Sequence, residues 1–391
     1  MSLESKHKET SMLPEERKQV GIIALIAIFR MFGLFALLPV LSIYASNLKF
    51  ATPILIGLSV GAYGLTQALF QIPFGLMSDR IGRKPVICIG LIIFILGSLV
   101  AANSETIFGV VFGRLLQGAG AISSALSALL TDLTRKEVRT KSMAIFGVGI
   151  GGSFLLSLIF GPIISSYFGV RALFFISAIV SIIAMSLLVL IPSGTRRLHN
   201  NIRQDLKNVF KPNLLVIDLH IYLLHLVLTM IFVIVPFLIT KELNIPLVDH
   251  WKIYFSSLLI SLFFAIPLIL SDDKGKKRRN LFLPVLLLLI SQLILIIFNN
   301  SMILVVISLI FFFVGFNYME ASLPARISIM ADEELRGTSL GVFSSFQFLG
   351  AFSGGILGGW LMGMFTPQDA IAFSVLLIIL WLIFTTFLKR S

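Results

Sequence analysis

The chain has 391 residues, of which 57% are hydrophobic and 13% are charged, and its mean hydropathy is +0.99. A soluble domain of this size needs far less apolar surface. These values therefore exclude a soluble globular protein and indicate a protein that lies in lipid. The net charge of +12 does not indicate nucleic-acid binding, because the basic residues are divided among many loops instead of being gathered on one face.

The chain begins with a polar segment that mixes both signs of charge, including Glu4, Lys6, Lys8 and Glu9. The apolar run that follows is too long for the core of a signal peptide. We therefore expect a cytosolic tail over residues 1–19 and a first helix that is retained in the membrane.

Twelve apolar runs follow, and each is bounded by proline, glycine, asparagine or charge. A helix needs roughly 20 residues to cross the hydrocarbon, and the runs lack the alternation of barrel strands, so an all-α integral membrane protein is expected. The predicted spans are 20–44, 54–78, 86–102, 107–131, 142–167, 171–191, 213–239, 250–270, 280–298, 302–330, 338–363 and 369–388.

The basic residues test this topology, because Lys and Arg near the ends of spans stay in the cytosol. With both termini cytosolic, 24 of the 31 Lys and Arg fall on the cytosolic side and three lie within spans. The four on the outer side are Lys49, Arg171, Lys241 and Lys252. The predicted units are an N-terminal six-helix bundle (20–191), a cytosolic linker (192–212) and a C-terminal six-helix bundle (213–388). The linker is expected to be solvated, with a short amphipathic helix on the inner leaflet as the alternative.

Two short patterns occur once in each half of the chain. Ser78–Lys84 and Ser271–Lys277 both have the form S-D-x-x-G-basic-Lys, and Arg139 with Ser142 is echoed by Arg336 with Ser339. The chain is therefore predicted to be a duplicated bundle. Duplicated membrane bundles place a binding site at the interface between their halves, which points to transport.

The sequence favours neither an enzyme nor a cofactor-dependent protein. Cys88 is the single cysteine, so a disulfide framework and a multi-cysteine metal site are excluded. Gly147–Gly152 matches G-x-G-x-x-G but lies inside a span and follows no strand. Motifs of ATP-driven pumps, zinc proteases and serine hydrolases are absent from the sequence. We expect no cofactor and no bound metal.

Gly75–Pro85 reads G-L-M-S-D-R-I-G-R-K-P and follows the second span. It matches the signature G-x-x-x-D-R-x-G-R-[RK], and with it the chain resembles the major facilitator superfamily. Two further matches are Arg114, Gln117, Gly118 and Gly120 on the fourth span, and part of the antiporter motif, Gly161 with Pro162, on the fifth.

Other segments, Arg30–Gly33, Leu38–Leu41, Tyr63–Gln67 and Gln347–Gly350, resemble bacterial inner-membrane members of this superfamily. Those members typically carry a soluble domain after helix twelve, which we do not expect here. The resemblance implies twelve helices in two pseudo-symmetric six-helix bundles, in the bacterial inner (plasma) membrane.

The resemblance also implies a gate on the cytosolic side. The gating motif comprises Gly75, Asp79, Arg80, Gly82, Arg83 and Asp132. Helix eleven is expected to approach helix two at Gly75, with its positive N-terminal end facing Asp79. Arg83 is expected to pair with Asp132. The alternative is that these charges only set the topology.

In this superfamily helices one, four, seven and ten line the cavity, and here each carries an ionisable residue: Arg30, Arg114, His225 and Glu320. A charge at mid-bilayer costs about 2.5–3.5 kcal/mol, so such residues usually face a cavity or a partner. Glu320 is the candidate proton carrier, with a salt bridge to an arginine as the alternative.

The other three ionisable residues also have two interpretations each. Arg114, with Gln117, is implied by the resemblance to serve proton coupling, but it could instead snorkel to the outer interface or brace helix one. Arg30 could bind an anion or hold two helices together through their carbonyls. His225 could titrate or simply pack through a hydrogen bond.

Uncharged polar residues inside spans could bind a substrate or bridge helices. They are Gln67, Gln71, Asn317 and Gln347. Glycines on helices five and eleven could permit close contact along a rocking interface, or could serve packing alone. They are Gly149, Gly151, Gly152 and Gly161 on helix five and Gly350, Gly354, Gly358 and Gly359 on helix eleven. Gly161 and Pro162 are the candidate hinge or packing residues. Asp218 and His220 are expected to snorkel to the inner interface.

The sequence thus predicts a monomeric secondary active transporter that works by alternating access, exchanging protons for a small amphipathic compound or drug. Its partners would be a small-molecule substrate, protons and membrane lipid, and not nucleic acid. Two alternatives stay open: a sugar or metabolite facilitator or exporter, and a transport-inactive membrane sensor or scaffold.

Overall fold

The computed structural model describes residues 11–193, 210–272, 281–297, 301–331 and 335–387. Twelve helical spans, α1 to α12, account for nearly all of these residues, and α1 and α4 each consist of two segments, a and b. Their bounds are α1a Pro14–Phe35, α1b Leu38–Ser46, α2 Pro53–Ile81, α3 Arg83–Asn103, α4a Ile107–Ala119, α4b Ser123–Asp132, α5 Lys136–Phe168, α6 Val170–Leu187, α7 Pro212–Phe237, α8 His250–Asp272, α9 Phe282–Ile297, α10 Met302–Met330, α11 Arg336–Met364 and α12 Pro367–Phe387.

The all-helical membrane prediction is confirmed. Eleven of the described spans are long and apolar enough to cross a membrane, and Phe282–Ile297 is a shorter apolar helix of 16 residues. Most observed bounds agree with the predicted ones to within a few residues. The linker 192–212 and the second motif copy, Ser271–Lys277, lie largely outside the described residues, so the division into two bundles and the cytosolic termini stay predictions.

The predicted first and fourth spans are both present, and each is interrupted within its length. The first helix stops at Phe35 and resumes at Leu38, and Pro39 stands at the start of the new segment. Proline lacks an N–H and its ring collides with the carbonyl four residues earlier, here that of Phe35. The fourth helix breaks at Gly120, whose ψ of 53° is not helical.

Helices α2 and α11 make the closest approach between the two halves of the chain. An alanine Cβ at Gly57 would lie 2.0 Å from the carbonyl oxygen of Gly355 and 2.7 Å from the Cα of Gly359. Gly61 and Gly64 meet the backbone of α11 in the same way, at 2.9 and 2.4 Å. We call this contact the glycine seam. Small residues permit such backbone contact between membrane helices.

The opposite face of α11 packs on α7. A Cβ at Gly350 would lie 2.1 Å from the carbonyl oxygen of Tyr222, and one at Gly354 would lie 2.1 Å from that of Leu226. Helix α11 is therefore held between α2 and α7, and a movement of α11 changes both contacts.

Phe154 on α5 joins the halves at a second place. Its ring makes an edge contact with Phe35 at a centroid distance of 5.3 Å. It also contacts Phe232 on α7 and Phe316 on α10, at 6.4 and 5.9 Å. Nearby, the hydroxyl of Ser42 donates a hydrogen bond of 3.3 Å to the carbonyl of Phe232. These contacts and the glycine seam connect the two halves of the chain.

Candidate functional site

The motif Gly75–Pro85 forms a sharp junction between α2 and α3. Gly82 has a φ of 105°, which L side chains rarely adopt, and it turns the chain so that Arg83 begins α3. Arg83 is 4% exposed, and its Nε donates to Asp132 Oδ2 at 3.0 Å. Its Nη1 donates to Ser78 Oγ at 2.8 Å and to Asp79 Oδ1.

The predicted contact between Arg83 and Asp132 is confirmed, and Asp79 completes the cluster from the end of α2. Asp132 is 1% exposed and Asp79 is 19% exposed, so the ion pair with Asp132 is the more deeply buried one. Arg80 is exposed. The three-residue cluster links α2, α3 and α4b, and its gating role stays a prediction.

The expected approach of α11 at Gly75 is wrong. A Cβ at Gly75 would meet Ser124 of α4b, at 3.4 Å, whereas open space surrounds Gly337 and Gly341 on α11. Within the described residues Asp79 has hydrogen bonds only with Arg83. Two helices that cross at an angle stay in close contact only near the crossing point, which here lies at Gly57 to Gly64. The start of α11 packs on Ile72 of α2 through Leu335 and Val342, and among the described residues it makes no hydrogen bond with Asp79.

Arg30 stabilises the break in α4. It is 1% exposed, and its Nη2 donates to the carbonyl of Gly120 at 3.0 Å and to Oε1 of Gln67. Its guanidinium also lies 5.8 Å from the ring centroid of Phe94. Non-helical backbone at membrane depth needs such a partner, because lipid offers no hydrogen bonds. The contacts are those of the bracing interpretation, while an additional functional role stays a prediction.

Arg114 is fully buried and holds α4a to α2. Its Nε donates to the carbonyl of Ser59 at 3.2 Å, Nη2 to that of Val60 at 3.3 Å and Nη1 to Gln117 Oε1 at 2.8 Å. The guanidinium also lies 4.5 Å from the ring centroid of Tyr63. Proton coupling through Arg114 and Gln117 stays a prediction, and the visible contacts are those of a structural clamp.

We expect Arg114→Lys to lower the free energy of unfolding by about 3 kcal/mol or more, because lysine cannot replace a planar fork that serves three acceptors. The thermal unfolding midpoint of the purified protein in detergent would measure this loss. Arg171→Lys is the matched control, since Arg171 is exposed. Equal midpoints for the two variants would contradict the clamp.

His225, Gln347 and Glu320 form a cluster between α7, α11 and α10. Gln347 Nε2 lies 2.9 Å from His225 Nε2 and donates to Glu320 Oε1 at 3.0 Å. His225 Nδ1 lies 3.2 Å from the carbonyl of Ile221. His225 Nε2 and Glu320 Oε2 are 3.8 Å apart, and the Glu320 side chain is 40% exposed. The structure thus brings together two of the four predicted ionisable residues.

The alternative interpretation of Glu320, a salt bridge to an arginine, is not seen among the described residues. Arg30 and Arg114 bond to groups on α1, α2 and α4 instead. Glu320 Oε2 accepts no hydrogen bond there. One carboxylate oxygen is therefore held by Gln347, and the other is buried without a hydrogen bond among the described residues, 3.8 Å from His225 Nε2.

Two other predicted residues have clear places. Asn317 on α10 donates from Nδ2 to Ser261 Oγ on α8 at 3.2 Å, which bridges two helices. Asp218 and His220 are each 1% exposed, so the expectation that they snorkel to the interface is wrong. His220 Nδ1 lies 2.7 Å from the carbonyl of Val216. The His220 ring also contacts the rings of Trp381 and Phe384 on α12, each at a centroid distance of 6.0 Å.

Gly161 on α5 packs against the interruption of the first helix. A Cβ there would lie 2.3 Å from the carbonyl oxygen of Ala36, while Pro162 continues within the same helix. Open space surrounds Gly151 and Gly152. The glycines of α5 therefore do not form a close contact between the halves, and a hinge role for Gly161 and Pro162 stays a prediction.

The hydrogen-bond partners of the four ionisable residues inside the spans were not identified from the sequence. Gln67 and Tyr63 both face the buried arginines, and Gln347 joins His225 to Glu320. One available indication was that Tyr63 and Gln67 are four residues apart and so share a helix face. The distant partners, such as Gly120 for Arg30, have no local pattern.

The family model described as Major Facilitator Superfamily matches residues 23–355. The chain is 39% identical over 386 residues to the inner membrane transport protein YajR of Escherichia coli, which covers 97% of this chain and 85% of that protein. It is 34% identical over 149 residues to the class B tetracycline resistance protein of Escherichia coli, covering 37% of this chain and 36% of that protein.

Among solved structures, the chain resembles a D-xylose-proton symporter with a TM-score of 0.77 and 16% identity, covering 95% of this chain and 97% of that one. A likeness at this level of identity concerns the fold.

Proposed function

The chain belongs to the major facilitator superfamily, and we propose that it is a secondary active transporter that exchanges protons for a small amphipathic compound by alternating access. Its long apolar helices and its likeness to an inner membrane transport protein place it in the bacterial inner membrane as a multi-pass protein. The similarity of part of the chain to a tetracycline resistance protein supports export of a drug-like compound.

The observation that carries the proposal is the cluster of Glu320, Gln347 and His225. A carboxylate inside a membrane bundle is costly, and such residues usually serve proton or ion movement. The Glu320 side chain is 40% exposed as a whole, but its Oε2 is a buried oxygen that accepts no hydrogen bond within the described residues, so a proton bound there would not break an existing contact. The cluster joins three helices, so a change in the charge of Glu320 alters the contacts between them.

Alternating access requires contacts that break in turn. By the positive-inside argument the glycine seam lies toward the outer side and the Arg83 cluster toward the cytosol. Opening outward would separate α2 from α11 along the seam. The Arg83 cluster joins the ends of α2, α3 and α4b. It would therefore keep these three helix ends together while the two halves of the molecule rock.

We expect Glu320→Gln to reduce substrate-dependent proton flux to the level of empty liposomes, since an amide cannot take up the proton. Purified protein would be placed in proteoliposomes with a pH-sensitive dye, and lipophilic cations, sugars and amino acids would be added in turn. Glu105→Gln is the matched control, because the Glu105 side chain is 66% exposed and lies in a loop.

The outcomes separate the alternatives. Substrate-dependent proton flux in the wild type and in Glu105→Gln, but not in Glu320→Gln, supports exchange through Glu320. Labelled substrate that crosses without proton movement would overturn the exchange and favour a facilitator. No flux with any compound, and no difference between variants, would favour a transport-inactive sensor or scaffold.

A further inference from the structure

Gln347 donates both hydrogens of its amide nitrogen to titratable groups on two other helices. Nε2 is 2.9 Å from His225 Nε2 on α7 and 3.0 Å from Glu320 Oε1 on α10. We propose that Gln347 is a positioning residue that keeps His225 neutral and so makes Glu320 the first of the two groups to take up a proton. The proposal rests on the proposed function in one respect, the role of Glu320 as proton carrier.

The first step of the argument is the tautomer of His225. The carbonyl of Ile221 can only accept, so Nδ1 must donate to it across 3.2 Å. A neutral imidazole with its proton on Nδ1 has a lone pair on Nε2, which accepts from Gln347. A second proton on Nε2 would point at an amide N–H only 2.9 Å away. The orientation of the Gln347 amide therefore excludes the imidazolium form.

Glu320 fixes that orientation in turn. If the Gln347 amide rotated by half a turn, its carbonyl oxygen would face the ionised carboxylate, so that two acceptors would oppose each other. A hydrogen bond from a neutral donor to a carboxylate is also stronger than one to the protonated acid. While Glu320 is ionised, the amide is held and His225 stays neutral. Once Glu320 binds a proton, the amide is free to rotate and its oxygen can accept from His225.

Without the Gln347 amide, His225 would take up a proton before Glu320. His225 Nε2 and Glu320 Oε2 are already 3.8 Å apart. With no donor directed at Nε2, the histidine can take up a proton there and form an ion pair with the carboxylate. The first proton would then reside on His225, and Glu320 would stay ionised.

Other ionisable groups lie on the helices that form or surround this cluster. The hydroxyl of Tyr222 on α7 donates to Ser353 on α11 at 2.9 Å. Tyr254 on α8 contacts the ring of Phe232. Further groups on the surrounding helices are Asp218 on α7, Tyr318 and Arg326 on α10 and Tyr63 on α2. Asp218 and Arg326 are six or seven residues along their helices from the cluster, roughly 10 Å.

The test observes His225 directly and does not require a substrate. Full-length protein labelled with ¹⁵N-histidine would be placed in lipid bilayers and studied by solid-state NMR from pH 6 to 8. The chain has five histidines, so a His225→Gln spectrum assigns the resonances of interest. In the wild type we expect His225 to be neutral at pH 7, with the proton on Nδ1 and an unprotonated Nε2.

Three variants complete the test. In Gln347→Leu we expect the unprotonated Nε2 resonance to be lost at pH 7, because His225 becomes an imidazolium. Gln347→Glu keeps the size of the side chain and should give the same loss, which preserves the test if the leucine variant folds poorly. Tyr222→Phe removes another polar contact between α7 and α11 and should leave the His225 resonances unchanged.

Two results would overturn the proposal: wild-type His225 protonated on Nε2 at pH 7, or an unprotonated Nε2 that persists in both Gln347 variants. Either result would leave the flux experiment on Glu320→Gln unaffected. Conversely, a failure of proton flux with the expected NMR result would contradict the proposed transport and not the role of Gln347 toward His225.

Discussion

Gly57→Ala is expected to separate α2 from α11 and to shift the protein strongly toward a conformation in which the glycine seam is open. The new Cβ would lie 2.0 Å from the carbonyl oxygen of Gly355 and 2.7 Å from the Cα of Gly359, and backbone atoms cannot rotate away. Overpacking of this kind costs about 1–3 kcal/mol, and each 1.4 kcal/mol changes a population about tenfold. The seam conformation should therefore become a minor one or be lost.

Distances between spin labels would measure this shift. Labels at Ile54 and Phe365, which are 47% and 50% exposed, would report on the seam in a Cys88→Ser background. In Gly57→Ala most molecules should show a longer distance between the labels. In Gly61→Ala, where the closest backbone contact is 2.9 Å, a smaller fraction of molecules should show it.

Gly341→Ala on α11 is the matched control for the seam variants, because open space surrounds Gly341. It should retain the wild-type distance. Distance distributions that do not follow the order Gly57, Gly61, Gly341 would show that sterics do not set the seam.

The helices themselves were predictable from the sequence because one physical requirement defines them. An apolar run must be long enough to cross the hydrocarbon, and charge or a helix breaker ends it. The predicted span 302–330 coincides with Met302–Met330, and 54–78 lies within Pro53–Ile81. Charge distribution also supplied the expected topology.

The interruptions were not predictable by the same reasoning. Proline occurs inside several helices that remain continuous, such as Pro73 in α2 and Pro324 in α10, whereas Pro39 begins a new segment. Membrane helices tolerate proline when neighbours satisfy the freed backbone groups. Whether a helix breaks therefore depends on tertiary contacts, such as that of Gly161 with Ala36.

The candidate site was predictable in its residue types and less so in its partners. Ionisable residues inside apolar spans are rare enough to be found by inspection, so His225 and Glu320 were identified. Gln347 was found as a polar residue, but its role depends on how α7, α10 and α11 are rotated relative to one another. The contact of Gly75 depends on the same helix rotations. It was expected to lie against α11, and it lies against Ser124 of α4b.

Asp132→Ala is expected to lower the free energy of unfolding by about 3–5 kcal/mol, because it leaves the guanidinium of Arg83 buried with one carboxylate partner fewer. Arg83 and Asp132 are 4% and 1% exposed and are joined by a 3.0 Å hydrogen bond. For a chain of this size the thermal midpoint should fall by roughly 4–6 °C. Asp79→Ala should have a smaller effect, since Asp79 is 19% exposed and water can replace part of its contact.

A double-mutant cycle would separate the interaction from the loss of packing. The double variant Arg83→Met with Asp132→Leu removes both charges and keeps apolar volume, so it should be more stable than either single variant. If the double variant were as destabilised as the sum of the single ones, the two residues would not be coupled and the cluster could not act as a unit. A coupled pair would instead mean that protonating Asp132 loosens the junction of α2, α3 and α4b, which is what a proton-sensitive gate requires.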